Sequence, residues 1–358
     1  MESRPRNNNT RKYANPKTTV AASLCMAFIL FSAVPYIATA DSTLIHDNHG
    51  HTWAATGTNL VAAFNALQTN SELWIPAGTY YITNGNLAIT KNGVKIHGAG
   101  PSTVISFSNG ARLISGQYAS ATTDSVRYRY GVNNLLLENF KITGKGCIEL
   151  VLGDNTKLQG ITATKITACR PAAFRFILPT NDHSCTGLQV IDCHTSQTWA
   201  HGFQINAVQP NGYNTLSNVL FDNCSASWAG FLPTGRPSGN SWSVGFDLGE
   251  GYSQCALSTP STTVRDCRAD HNWECGFHME SVVQRSLTFI HCQADYNGQK
   301  RVYSHPSKYY CSGFVAENGV SLYNCEASYN TNYGVLSRNH PIISGLSGTG
   351  NWEGLRKG

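Results

Sequence analysis

The sequence predicts an all-β solenoid, a chain wound into short strands that stack coil upon coil, and three observations predict it. One phrase recurs: an apolar strand, a Cys, a small residue two positions on, then Gly followed by Phe or Val. The cysteines are Cys193, Cys224, Cys267, Cys292 and Cys325, and the paired glycines are Gly202, Gly245, Gly276, Gly313 and Gly334. Their separation alternates between 9 and 21 residues, so the phrase accepts twelve extra residues and resumes unchanged. Finally, Asn272, Asn297 and Asn330 each lie five residues after their Cys, where stacked turn asparagines satisfy backbone groups of the next coil. Self-similarity with a period in the twenties, interrupted only by loop insertions, marks coils that bury one continuous core. A degenerate sixth copy is expected around Cys169 and the strand Ala173–Ile177.

The chain has 358 residues, and its beginning reads as a leader. Arg11, Lys12 and Lys17 precede an apolar run from Val20 to Val34, and Ala38-Thr39-Ala40 offers a small-x-small cleavage site. Residues 1–40 are therefore expected to be a secretory signal peptide and 41–358 the mature domain. An uncleaved anchor is the weaker reading, because the run is short for a membrane span and ends at Pro35. The expected location is secreted, extracellular or at the cell surface, with no stable membrane insertion after leader cleavage. Next, Asn59–Leu67 carries helical spacing of Leu60, Val61, Phe64 and Leu67. A short amphipathic helix there would cap the open end of the solenoid against edge pairing.

Composition narrows the partners. The formal charge is +5, but residues 1–40 hold five of the basic and one of the acidic residues, which leaves 21 basic and 20 acidic beyond them. That balance does not suit nucleic acid. Of twelve cysteines, eleven follow the leader. Those at one position of successive coils read as a buried stack of small apolar side chains. Cys147, Cys185, Cys255, Cys275 and Cys311 fall outside that column and are the disulfide candidates of an exported protein. No spacing of the zinc kind is present.

The run of helix, then Trp74-Ile75-Pro76-Ala77-Gly78-Thr79-Tyr80, then Gly93-Val94-Lys95-Ile96-His97-Gly98-Ala99-Gly100, resembles the N-terminal coils of secreted pectate-lyase-like proteins. The later Cys–Ala–Gly-Phe coils are similar to that superfamily's carbohydrate-binding and sugar-hydrolase repeats. The resemblance spans about Thr52 to Gly350 and implies a single-stranded right-handed parallel β-helix. It is specific for fold and weak for reaction, since the superfamily includes lyases, hydrolases, epimerases and non-catalytic binders.

Strand alternation then locates the chemistry. If Phe174, Phe203, Phe246, Phe277 and Phe314 face inward, one outward column reads Arg175, Gln204, Asp247, His278, Val315 and Leu336. A second outward column reads Ile177, Asn206, Gly249, Glu280, Glu317 and Arg338. An exterior strand without function more often shows Thr, Val, Ser or Lys, so this polar set is expected to floor a groove. Insertions near 231–241 and 298–310 flank it, and the second adds Arg301, Tyr303 and Lys308, suited to sugar rings and carboxylates.

Three functions fit. The favoured one is a polysaccharide lyase or C5-epimerase on uronate-containing glycans, with His278 as base, Asp247 orienting it and Arg175 neutralising the substrate carboxylate. Glu280 and Glu317 could hold a calcium ion to the same end. Gln204, Asn206, Arg301, Tyr303, Lys308 and Arg338 are the candidate substrate-binding residues. A glycoside hydrolase using Asp247 and Glu280 is the second reading, at roughly 8 Å between side-chain origins. Against it, the polygalacturonase-like members carry adjacent aspartates and a Gly-His-Gly segment. Ala200-His201-Gly202 only echoes that segment, and His201 is better explained as a turn residue. A non-catalytic glycan-binding or adhesion module is the third reading.

Overall fold

The computed structural model describes residues 43–169, 171–180, 184–207, 215–248, 256–257, 262–279, 287–303, 310–316, 319–337 and 340–357. The expected leader, Cys255, Glu280, Lys308, Glu317 and Arg338 lie outside the described residues. Among those described, short parallel strands form a right-handed parallel β-helix of three long sheets. Each coil contributes one strand to each sheet in turn, as in Val219–Asp222 of sheet 1, Ser225–Ala229 of sheet 2 and Phe246–Asp247 of sheet 3. Sheets 1, 2 and 3 have 12, 9 and 10 strands, and a separate 3-stranded sheet runs beside them through Cys185–Thr186, Thr215–Ser217 and Ala256–Leu257.

The recurring phrase maps onto one coil. The Cys sits at the corner between sheets 1 and 2, the small residue enters the core from sheet 2, the Asn turns the next corner, and the Gly opens sheet 3. Cys193, Cys224, Cys267, Cys292 and Cys325 are all buried and unpaired, as the stacked column requires. The Asn ladder is continuous: Asn272 Nδ2 donates to Asn297 Oδ1 at 2.9 Å, Asn297 Nδ2 to Asn330 Oδ1 at 3.1 Å, and Asn330 Nδ2 to Asn351 Oδ1 at 2.9 Å. Each amide also donates to a carbonyl of the coil before it, Asn297 to Ala269 at 3.0 Å for example. The glycine is needed because two coils meet there. A Cβ on Gly276 would lie 2.8 Å from both the Gly313 carbonyl oxygen and the Asn297 amide nitrogen.

The inward Phe column stacks face to face at centroid spacings of 4.9, 4.7, 4.8 and 4.9 Å from Phe174 to Phe314. These rings belong to the single large core together with Phe176, Ile205, Leu248, Met279 and Ala316. A second ladder, Trp228, His271, Tyr296 and Tyr329, stands outside at the corner between sheets 2 and 3, with centroids 4.6–4.9 Å apart. Its ring faces are spent on one another.

At the N-terminal end, the helix Gly57–Asn65 buries Leu60, Ala63 and Phe64 against the first coils, and Thr56 caps it by accepting from the Asn59 N–H. The strand Leu44–Asp47 pairs antiparallel with Thr52–Ala54 and with Glu72–Ile75, closing the edge of sheet 1.

The cysteines differ from expectation in two ways. Cys147 does form a disulfide, but with Cys169, at a Cα–Cα distance of 5.8 Å. Cys169 is not the sixth member of the column: Thr162 pairs with His194, which places Ile161 opposite Cys193. Cys185 and Cys275 are buried free thiols, so position outside the column did not by itself mark a cross-link.

Candidate active site on sheet 3

Sheet 3 places the first outward column in register. Glu149 pairs with Arg175, Arg175 with Gln204, Gln204 with Asp247, Asp247 with His278, His278 with Val315 and Val315 with Leu336. Facing outward is not the same as facing water here. Asp247 and His278 have 0% exposure, and Gln204 and His201 are almost fully buried. The expected open groove floor is therefore covered. The cover comes from the insertions themselves. Trp242 and Tyr310 meet the His278 ring edge-on at 4.8 and 5.7 Å and each other at 5.1 Å. They pack with Val244, Cys275, Val315 and Leu336 into an apolar cluster distinct from the core.

Beneath that roof Asp247 is a hub. Its Oδ2 accepts from Gln204 Nε2 at 2.8 Å, and its Oδ1 lies 3.0 Å from His278 Nδ1. Burial opposes ionisation of this carboxyl. The His278 hydrogen bond, the two neighbouring imidazoles and Gln204 outweigh it and hold the group below the ordinary carboxylate value. An ionised Asp247 requires the proton of His278 to reside on Nδ1, which assigns the lone pair of the neutral ring to Nε2. His201 stands on the other flank, its Nε2 at 3.9 Å from Asp247 Oδ2. The Val244 N–H donates to His201 Nδ1 at 3.2 Å, so this ring carries its proton on Nε2. Burial pushes the His201 pKa down to about 4 against the pull of Asp247, leaving it neutral. His201 thus belongs to the site rather than to a bare turn. Its register in the strand His201–Ala207 held the signal, but the residue before a glycine reads first as turn chemistry.

One further group joins the row and another stands beside it. One coil earlier, Glu149 is buried and accepts from Arg112 Nη1 at 2.9 Å, Arg175 Nη1 at 3.1 Å and the Tyr128 hydroxyl at 3.0 Å. Arg175, expected to meet a substrate carboxylate, is thus held by a carboxylate of the protein. Extending the outward column back by one coil would have found Glu149 in the sequence. Just ahead of the strand Phe277–His278, Glu274 accepts from Lys300 Nζ at 2.5 Å, and the same ammonium donates to the Ser241 carbonyl at 3.2 Å. Burial raises the Glu274 pKa despite Lys300. Through Ser241, Lys300 ties one insertion to the other. Burial also raises the Cys275 thiol well above its usual value and the Cys311 thiol to about 11, which disfavours either as a nucleophile.

The remaining sequence candidates are spread out. Asn206 is partly buried and pairs with Ile177 in the second column. Arg301 turns to the C-terminal coil, donating to the Thr331 carbonyl, pairing with Glu353 at 3.1 Å and lying over Trp352 at 4.9 Å. Tyr303 packs on Phe231 and Trp273. Among the described residues no three His, Cys, Asp or Glu side chains gather as a metal site.

No family model matches the chain, and no curated protein sequence matches it. Among solved structures it is similar to pectate lyase Pel9A, at 17% identity and a TM-score of 0.39 over 77% of this chain and 61% of that one. It is also similar to the catalytic domain of a GH87 alpha-1,3-glucanase, at 10% identity and a TM-score of 0.41 over 80% and 61%. A third is alginate lyase AlyF-OU02, at 14% identity and 0.42 over 82% and 60%. The chain spans about three fifths of the length of these structures. The likeness is one of winding, which the sheet topology establishes on its own.

Proposed function

We propose that this chain is a secreted carbohydrate-active enzyme that removes the C5 proton of a uronic-acid residue in an acidic polysaccharide, as a lyase or a C5-epimerase. The observation that carries this reading is the Asp247–His278 pair, a buried carboxylate bonded to Nδ1 of an imidazole, which Glu149, Arg175 and Gln204 precede in the same column. Such a pair is a general base with its tautomer set and its imidazolium stabilised. His278 Nε2 would take the C5 proton. In elimination the C5–H electron pair then forms the C4–C5 double bond as the C4–O bond breaks, and the departing oxygen takes the proton back from the His278 imidazolium; in epimerisation C5 instead takes a proton from water on the opposite face, and the imidazolium returns its own to solvent. Arg175 and Arg112 are bonded to Glu149 and lie about 14 Å or more from His278 at the usual strand spacing, so they would draw an acidic chain to the row rather than touch the reacting carboxylate. Substrate entry requires the Trp242 and Tyr310 segments to part.

Ultraviolet absorbance of unsaturated uronate, followed with pectate, alginate and glycosaminoglycans, tests elimination, with calcium and a chelator in parallel arms. Absorbance that rises with wild type and stays flat with His278→Ala is the expected result. Flat traces on every substrate, with no change in uronate configuration, would exclude the reading. A second reading is favoured by the complete burial of Asp247 and His278. In it the pair is a structural polar core beneath a glycan-binding surface, and His278→Ala would then lower stability without affecting turnover of any glycan.

A further inference from the structure

The segment 116–131 leaves sheet 3 after Leu113–Ser115 and re-enters sheet 1 at Leu136–Glu138. Tyr128 fixes it in place. Its ring is buried against Val151 and Ile177, and its hydroxyl donates to Glu149 at 3.0 Å and accepts from Arg175 Nη1 at 3.3 Å. With that anchor set, the residues on either side are held at the corner where sheet 3 turns into sheet 1.

Two adjoining cavities open at this corner, of about 260 and about 350 Å³, and Gln117 lines both. Tyr130 and Asn133 wall the first, Tyr118, Lys91 and Asn92 the second. The Tyr118 and Tyr130 rings meet at 5.9 Å, tilted by 53°. The Arg129 guanidinium lies 5.3 Å from the Tyr130 centroid. Arg129, Lys91, Tyr118 and Gln117 are exposed. The second by itself reaches the lower end of the range of about 300–1,000 Å³ usual for small-molecule sites. Their chemistry is one-sided: the lining holds two aromatic rings, three side-chain amides and the cation of Lys91, with no carboxylate, and Arg129 stands beside it against Tyr130. Amides match hydroxyl groups, aromatic rings match the C–H face of a pyranose, and Lys and Arg match a carboxylate.

We propose that this corner cleft is an accessory binding subsite for an acidic oligosaccharide, separate from the Asp247–His278 pair. In the column, Glu149 under the Tyr128 anchor and His278 are four coils apart, about 19 Å at the usual strand spacing. The cleft could therefore hold one part of a chain while another part reaches the roofed row. The assignment rests on the glycan-binding half of the reading above and not on its catalytic half.

Calorimetry on the full chain carrying His278→Ala, so that nothing turns over, tests it with an oligogalacturonate and its methyl ester of equal length. The acid is expected to bind more tightly than the ester, and added salt to narrow the gap. Adding Tyr118→Ala should weaken both ligands tenfold or more. Adding Arg129→Ala should weaken the acid selectively. Both residues are exposed, so circular dichroism should not change. Unchanged affinity in both variants, or an ester that binds as tightly as the acid, overturns the proposal. Loss of elimination in His278→Ala alongside unchanged binding in the corner variants would leave the catalytic reading standing and remove only this subsite.

Discussion

Replacing Asp247 by Ala and by Asn should separate the two jobs of that carboxylate. In the native protein it accepts from Gln204 Nε2 at 2.8 Å and from the His278 ring at 3.0 Å, with no exposure to water. Asp247→Ala removes both acceptors from a dry site and leaves two donors stranded. Breaking a buried charged contact in this way costs about 3–5 kcal/mol. Asp247→Asn keeps the shape and one acceptor. The second contact can be restored by turning the Gln204 amide, because Gln204 Oε1 has no hydrogen-bond partner among the described residues. Relief from burying a charge offsets part of what remains, so the Asn variant should lose only about 1–3 kcal/mol. Urea unfolding of the three proteins, with m-values compared, reads the difference. In parallel, the ring ¹⁵N resonances of His278 should show the proton on Nδ1 in wild type. Turnover should fall by about 10³–10⁴ even in the well-folded Asn variant, because the imidazolium loses its counter-charge. An Ala variant as stable as wild type would refute the hub assignment. An Asn variant at full activity would refute the role given to its charge.

Three further outcomes follow from the coil. Gly276→Ala brings a methyl to 2.8 Å from the Gly313 carbonyl, and the overpacking should cost about 1–3 kcal/mol in urea unfolding, whereas Gly235→Ala, with nothing within 4 Å but a φ of +75°, should cost only its backbone strain. His201 is held at a pKa of about 4, below the unfolded value of about 6.5. The unfolded chain therefore binds the extra proton first, and stability should decline as pH falls from about 6.5 to 4, by up to about 3 kcal/mol; His201→Gln should flatten that slope in urea midpoints taken across the range. Reduction of Cys147–Cys169, which closes a loop with a sequence separation of 22, should lower stability by about 3 kcal/mol, and Cys147→Ala should remove the response to reductant.

The coil was legible because its constraints are local and repeated. Gly245, Gly276 and Gly313 mark where one backbone presses on the next, Asn272, Asn297 and Asn330 mark one corner, and the Phe column sets the phase of sheet 3. A phase fixed by five stacked rings also placed Gln204, Asp247 and His278 side by side. Burial of that row was not legible, because it depends on where Trp242, Tyr310 and Lys300 land once the insertions fold back, and nothing periodic governs an insertion. His201 was missed for a related reason. Its chemistry comes from Val244, which lies in the following coil and donates to Nδ1, and from Asp247 across the sheet. The Cys147–Cys169 bridge was half legible: Cys147 stood outside the column, while Cys169 looked like part of it until the register put Ile161 there.

The central claim is that His278, set by Asp247, takes a proton from C5 of a uronate. Solvent-deuterium exchange at C5 of a polyuronate, followed by ¹H NMR, tests it without presupposing elimination or epimerisation. The account predicts loss of the C5 proton signal or its conversion to an unsaturated product with wild type, and an inert substrate with His278→Ala at equal folded fraction. Exchange that continues in the variant, or its absence in the wild-type protein on pectate, alginate and glycosaminoglycans alike, would contradict it.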